Sequence, residues 1–243
     1  GIDFKSKFGV ESFISTEIIR KSVNDAHKII DKVKDFEVDI FAILGMRNLS
    51  AFIGEIFVST LAKNSNDLLV KNPHEDGYPD LLLLDEKGKL LWKNLENVLK
   101  SKQPFSPFEN GGIEVKATCG SVPTPDICTK RGFEKPELGD TRIDCMVNYD
   151  WKAHHRETNN LIGLLWDFIE ETPKIVAVFF SNDLKEEDWG SIVQPKKDGG
   201  RTTSVSIMTG TGIKKMYNGC VLVIDDKRYI DFFNRKNKSN LLK

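Results

Sequence analysis

Four consecutive leucines, residues 81–84, lie between Asp80 and Asp85, with a turn-rich approach over residues 72–79 and the turn Asp85-Glu86-Lys87-Gly88 behind them. An apolar run this short and this sharply bracketed reads as a central strand buried on both faces, since a strand with one wet face would alternate apolar with polar residues. Leucine is not a strong strand former, so a helix competes, but the run is too short to favour it. A strand of that kind needs cover on both sides, and the rest of the chain has to supply it.

Apolar residues recur at three- and four-residue steps over residues 10–35, the pattern of an amphipathic helix or a broken pair of helices. Asn48-Leu49-Ser50 offers helix-capping chemistry ahead of residues 51–62, expected to be a mostly buried helix carrying Glu55. Residues 89–92 are expected as the return strand of a hairpin, residues 103–110 as a loop, and residues 119–140, with Pro123, Pro125, Gly132, Pro136 and Gly139, as an extended loop. Between the loops, Gly111-Gly112-Ile113-Glu114-Val115-Lys116-Ala117 alternates, so Ile113 and Val115 face one way and Glu114 and Lys116 the other. Residues 142–149 are expected as a strand, 158–170 as a helix closed by Pro173, 174–181 as the clearest strand, and 202–208 and 220–225 as further strands around the glycine-bearing residues 209–212. Residues 234–243 form a basic, polar tail.

At 243 residues the chain fits one large domain, or a core with a small appendage, with enough apolar content for a proper core. No stretch approaches a membrane-spanning apolar run and no secretory leader pattern opens the chain, so a soluble, cytoplasmic protein is expected. Because the first residue is Gly1 rather than Met, processing or trimming is expected. Cys119, Cys128, Cys145 and Cys220 form no C-x-x-C pair, and the histidines do not fall at zinc-ligand spacings from them, which speaks against structural zinc. A net charge of −1 gives no global electrostatic case for nucleic acid; a basic face would have to be gathered locally.

Asp80 follows Pro79 at the start of a buried strand, Glu114-x-Lys116 shares one face of another, and a helix with Glu55 precedes both. In this order the chain resembles the PD-(D/E)XK nuclease family over roughly residues 50–180. The resemblance implies an α/β fold with a mixed central β-sheet of about five strands flanked by helices, the restriction-endonuclease-like core, followed by C-terminal strands and loops. It also implies a Mg²⁺ site ligated by Asp80, Glu114 and the backbone carbonyl of Val115. Lys116 would position the attacking water, and Glu55 would add to the metal site or orient the lysine. The chemistry suits these residue types. Phosphodiester hydrolysis needs hard oxygen ligands for Mg²⁺ and a compact cation beside the phosphate. In the bland alternative Asp80 caps a turn and Glu114 with Lys116 forms a solvated ion pair.

The residues expected to touch DNA fall in two groups. Lys152, His154, His155, Arg156, Asn159 and Asn160 are concentrated ahead of the helix expected at 158–170, where backbone N–H groups and the helix dipole would favour phosphate. Lys196, Lys197, Arg201, Thr202, Thr203 and Ser204 suit base edges. Residues 151–168 and 200–204 look like segments of restriction endonucleases. The whole, residues 1–243, is expected as one nuclease domain, with a helical N-terminal part about residues 1–70, a catalytic core about 50–180 and a DNA-reading part about 181–243. Its expected activity is that of a type II restriction enzyme on double-stranded DNA, working as a homodimer alongside a cognate methyltransferase. A structure- or modification-directed nuclease, or an inactive DNA-binding module, are the alternatives.

Overall fold

The structure, a computed structural model, describes residues 1–154, 156–194 and 204–237. A hairpin of β1 (Ile2–Lys5) and β2 (Glu11–Ile14) leads into helices α1 (Thr16–Lys34) and α2 (Ile40–Asn64), then strands β3 (Leu69–Lys71) and β4 (Leu81–Leu83). Helix α3 (Glu86–Leu95), strand β5 (Gly112–Thr118) and the short helix α4 (Pro125–Lys130) come next. The second half holds β6 (Lys152–Ala153), β7 (Leu161–Ile169), β8 (Thr172–Ser181), β9 (Trp189–Val193) and β10 (Val205–Met208), then α5 (Gly210–Asn218), β11 (Cys220–Val223) and α6 (Lys227–Asn237).

The central sheet has the order β11-β8-β7-β5-β4-β3, and only β5 and β7 run parallel; it is the mixed, helix-flanked α/β core expected from the sequence, with six strands. Its two faces separate by the strand period of two. Ile113 and Val115 of β5 and Ile162, Leu164, Trp166 and Phe168 of β7 pack with Ile19, Val23, Ile53 and Phe57 of the first two helices. Leu161 and Leu165 of β7 face the other way, into an aromatic core with Tyr149, Trp151, Met216, Tyr229 and Phe233. A second sheet, β6-β10-β9, borders that core through Trp189 and Met208.

Several elements differ from the expectation. Residues 158–170 contain a strand, β7, rather than a helix: with both faces buried it shows no polar alternation, and its apolar spacing mimics a helical one. Residues 89–92 lie in α3, because Asp85 caps a helix, accepting from Gly88 N at 2.8 Å, instead of closing a turn. Residues 142–149 form no strand; Arg142 N and Ile143 N donate to the buried carboxylate of Asp167, so the loop's backbone is pinned to β7 by that one side chain. The helical period of residues 10–35 begins only at Thr16, after β2, with Ser15 as its cap. Asn48 lies inside α2, which starts at Ile40 and bends at Gly45. Helices α5 and α6 were not expected. No single helix among the described residues is long and apolar enough to cross a membrane; Ile40–Met46 and Asn48–Asn64 reach that length only as a pair bent by 105°.

Helix α1 meets the sheet at a β-bulge, where the β7–β8 register steps from Leu165–Ala177 to Trp166–Ile175. There Ile175 N donates to His27 Nε2 at 2.9 Å, so the imidazole must stay neutral at that nitrogen. Burial, helped by the nearby Lys174 charge, lowers the His27 pKa from 6.5 to about 4. The unfolded chain therefore binds more protons between those pH values, and stability falls as pH drops from 6.5 to 4. His27→Gln keeps an acceptor for Ile175 without a proton to gain. Its melting temperature is expected to decline less than the parent's across that window, by the equivalent of about 2 kcal/mol. Parallel declines in thermal melts of the two proteins would remove His27 from the acid response.

Candidate active site

Strand β4 pairs antiparallel with β5, Leu81 opposite Ile113 and Leu82 opposite Gly112. Gly112 permits the pairing, since a Cβ there would lie 1.9 Å from the Leu81 carbonyl oxygen. One further step of the same register sets Asp80 opposite Glu114, on one face, with Lys116 two residues along β5 on that face as well. The three side chains meet. Asp80 N donates to Glu114 Oε2 at 3.2 Å and Val115 N donates to Asp80 Oδ2 at 2.8 Å. Lys116 Nζ lies 2.5 Å from Glu114 Oε1 and 3.4 Å from Asp80 Oδ2. Side-chain exposures of 18% for Asp80, 5% for Glu114 and 23% for Lys116 set this cluster apart from a solvated strand face.

Burial pushes the Asp80 pKa up to about 6 and the Glu114 charge adds to the rise, while Lys116 opposes both. For Lys116 burial works downward, but the charges of Glu114 and then Asp80 outweigh it and hold the amine above the ordinary lysine range. Lys116 is thus an ammonium, a donor rather than a base.

The turn that delivers Asp80 is shaped by Asn72, a residue not singled out in the sequence. Its Nδ2 donates to the carbonyls of Pro79 and Phe105, each at 2.9 Å, and its backbone N–H donates to Asp80 O at 2.9 Å. Asn-Pro at 72–73 marks a turn, yet nothing local reveals which carbonyls its amide will reach. Tyr78, beside it, donates to Glu157 O at 3.3 Å; burial first, with Glu114 adding, raises its pKa to about 12, so the phenol stays neutral.

Asp80 and Glu114 present hard carboxylate oxygens, and the in-plane edge of β5 supplies a third. Glu114 N donates to Asn160 O on the β7 side whereas Val115 N points to Asp80 on the β4 side. N–H and C=O of one strand residue point to the same side, so the Val115 carbonyl is directed to the Asp80 edge, beyond the last β4 pairing at Leu81. Mg²⁺ is commonly held by one or two carboxylates together with water and substrate phosphate, so this donor set fits it. Among the described residues no group of three or more His, Cys, Asp and Glu is placed to hold a metal on its own.

Glu55 stands apart from this cluster. It is half exposed and pairs with Lys71 Nζ at 2.5 Å. Lys71 lies opposite Leu81, on the α2 side of the sheet, whereas Asp80, Glu114 and Lys116 occupy the other side. In this structure Glu55 is thus paired with a lysine of β3 and is not brought to Asp80, Glu114 and Lys116.

The first group of expected DNA contacts does not lie at a helix N-terminus, because residues 158–170 contain β7. Lys152 sits in β6, opposite Ile207 of β10, and His154 Nδ1 lies 2.9 Å from Ser204 O, so part of each group is brought together. Arg156 pairs with Glu186 at 2.6 Å. Asn159 is exposed, but Asn160 is buried and spends its Nδ2 on the carbonyls of Lys5 and Gly112, each at 3.0 Å; it is a structural clamp. His155, Lys196, Lys197, Arg201, Thr202 and Thr203 lie outside the described residues. Ser204 Oγ donates to Gln194 Oε1 at 2.7 Å.

Comparison with protein-family models, curated proteins and solved structures found no match for this chain.

Because Lys116 offsets two buried carboxylates, Lys116→Met should destabilise the protein at pH 8 by on the order of 3–5 kcal/mol, the scale for removing one partner of a buried ion pair. Adding Asp80→Asn to that variant should recover most of the loss, since it removes one of the two repelling charges. Additive losses in the double variant, measured by denaturant unfolding, would show that the three groups are not electrostatically coupled.

Proposed function

We propose that this chain is a Mg²⁺-dependent endonuclease that hydrolyses phosphodiester bonds of double-stranded DNA, a type II restriction enzyme acting as a homodimer in the cytoplasm beside a cognate methyltransferase. The supporting observation is the meeting of Asp80, Glu114 and Lys116 within hydrogen-bond distance on one sheet face, next to the β5 edge at Val115. The same residue types in the same order carry the resemblance to the PD-(D/E)XK nucleases.

When bound, Mg²⁺ would supply charge neutralisation at the phosphate and acidify a water. Asp80, Glu114 and the Val115 carbonyl would hold it. With a pKa of about 6, Asp80 is mostly ionised at neutral pH and available as a ligand. Lys116, kept as an ammonium by its two carboxylates, would donate to a phosphate oxygen or fix the attacking water. A planar guanidinium has a different donor geometry and would not fit a position built for a compact ammonium. A homodimer would pair two such sites across a palindromic target.

Plasmid and linear duplex incubated with Mg²⁺, and separately with EDTA, provide the test. Discrete fragments with Mg²⁺ alone are expected. Asp80→Ala and Glu114→Ala should abolish cleavage with DNA binding retained, and Lys116→Ala should slow it by roughly two or more orders of magnitude. Lys116→Arg should not restore the full rate. Structure-dependent nicking would shift the assignment to another DNA nuclease with the same site, and absence of cutting with DNA binding intact would leave a binding module. Near-normal cleavage by a folded Asp80→Ala protein would place the chemistry elsewhere.

A further inference from the structure

The β1–β2 hairpin brings to the edge of this site a cation that no motif marks. Lys5, Lys7, Tyr78, Pro79 and Asn159 line a small crevice immediately before Asp80. Three contacts fix the hairpin there: Asn160 Nδ2 to Lys5 O at 3.0 Å, Lys7 N to Asn110 O at 3.1 Å, and Asn182 Nδ2 to Asp3 O at 2.7 Å. The Lys7 stem lies along Gly111, where φ is +76° and a Cβ would come within 3.1 Å of Lys7 Cγ and 3.8 Å of Cδ. A side chain at 111 would crowd that stem as well as strain the backbone.

Lys7 makes no ion pair among the described residues, whereas Lys71, Lys102, Lys116, Lys174 and Lys215 all do. Lys5 meets Glu11 at 3.1 Å, but both side chains are largely exposed and such a pair is weak. Asn159 Oδ1 accepts from Asn160 N at 2.9 Å, which leaves its NH₂ group as a donor at the crevice. Two ammonium groups and an amide, with one ammonium uncompensated and its stem held in place, suit a tetrahedral anion that accepts from several donors.

We infer that Lys7, with Lys5 and Asn159, holds a backbone phosphate of the DNA strand neighbouring the scissile one. This rests on the nuclease assignment, because the crevice and the candidate active site share the Tyr78-Pro79-Asp80 turn. A strand whose phosphate is seated at Lys7 passes directly to Asp80. The contact reads no base, so it orients DNA of any sequence.

The test is duplex binding by fluorescence anisotropy in EDTA, with two duplexes of unrelated sequence over a range of salt concentrations, so that the readout is independent of cleavage. Lys7→Gln is expected to weaken binding to both duplexes about five- to ten-fold at 0.1 M salt and to reduce the log–log salt slope by about 1. Lys7→Arg should retain the slope, and Lys227→Gln, on the exposed flank of α6, should match the parent. Unchanged affinity and slope in Lys7→Gln, with plasmid cleavage by the parent intact, overturns the phosphate contact and leaves the nuclease assignment standing. A loss confined to one duplex also overturns it, making Lys7 a base reader. A parent protein that neither binds nor cuts DNA removes the nuclease assignment, and the contact with it.

Discussion

Two carboxylates brought onto one sheet face and largely removed from water repel each other, and the Lys116 ammonium between them is what makes the arrangement tolerable. Each member depends on the others. Asp80 caps the Val115 N–H, Glu114 accepts the Asp80 N–H, and Lys116 reaches both, so the cluster closes the β4–β5 pairing at the point where the two strands part. A buried charge cluster of this kind adds little net stability, because desolvation consumes most of the Coulombic gain. What it contributes is a defined geometry. It also holds a latent charge imbalance, since withdrawing the ammonium from either carboxylate exposes an anionic pair of hard oxygens.

That geometry is held from outside by amides rather than by further charges. Asn72 ties the Asp80 turn to the loop around Phe105, and Asn160 ties the start of β5 to the N-terminal hairpin. Each carboxamide donates to two backbone carbonyls near the ends of strands, although Phe105 O also accepts from Tyr78 N at 3.2 Å. Neutral donors do this without altering the field at the three charged groups. The site therefore takes much of its shape from asparagines and its central charges from Asp80, Glu114 and Lys116.

The features legible in the sequence are those encoded within a few residues. The bracketed leucines of β4 and the alternation of β5 marked the strands that carry Asp80, Glu114 and Lys116, because strand period and turn chemistry are local, whereas the meeting of the three was what the family resemblance implied. The strand β7 was not legible: Leu161, Ile162, Leu164, Leu165 and Phe168 reproduce a helical spacing, and only the cores on both sides of the sheet explain why apolar residues occupy both of its faces. Asp85 looked like a turn residue, and as a helix cap it is held by Asn110, whose Nδ2 donates to its Oδ1 at 2.8 Å from 25 residues away. Glu55 was expected to add to the metal site or orient the lysine, yet its partner is Lys71, which arrives from β3, sixteen residues on. Asn72, Asn160 and Lys7 act across 33, 48 and 103 residues of sequence, and no local pattern reports such contacts.

A similar division runs between the three charged groups and the small second sheet. Asp80, Glu114 and Lys116 project from the interior of the six-stranded sheet, where packing on two faces leaves little freedom. Of the second group of expected DNA contacts only Ser204 is among the described residues, just ahead of β10 in the small sheet β6-β10-β9, which is joined to the core by Trp189, whose Nε1 donates to Thr158 O at 3.1 Å, and by the segment running from Ala153 to Leu161. That segment enters β7 opposite Glu114, so the small sheet is anchored to the very register that positions the carboxylates. The small sheet shares no residue with Asp80, Glu114 and Lys116. Substitutions on the small sheet therefore leave the contacts among Asp80, Glu114 and Lys116 in place.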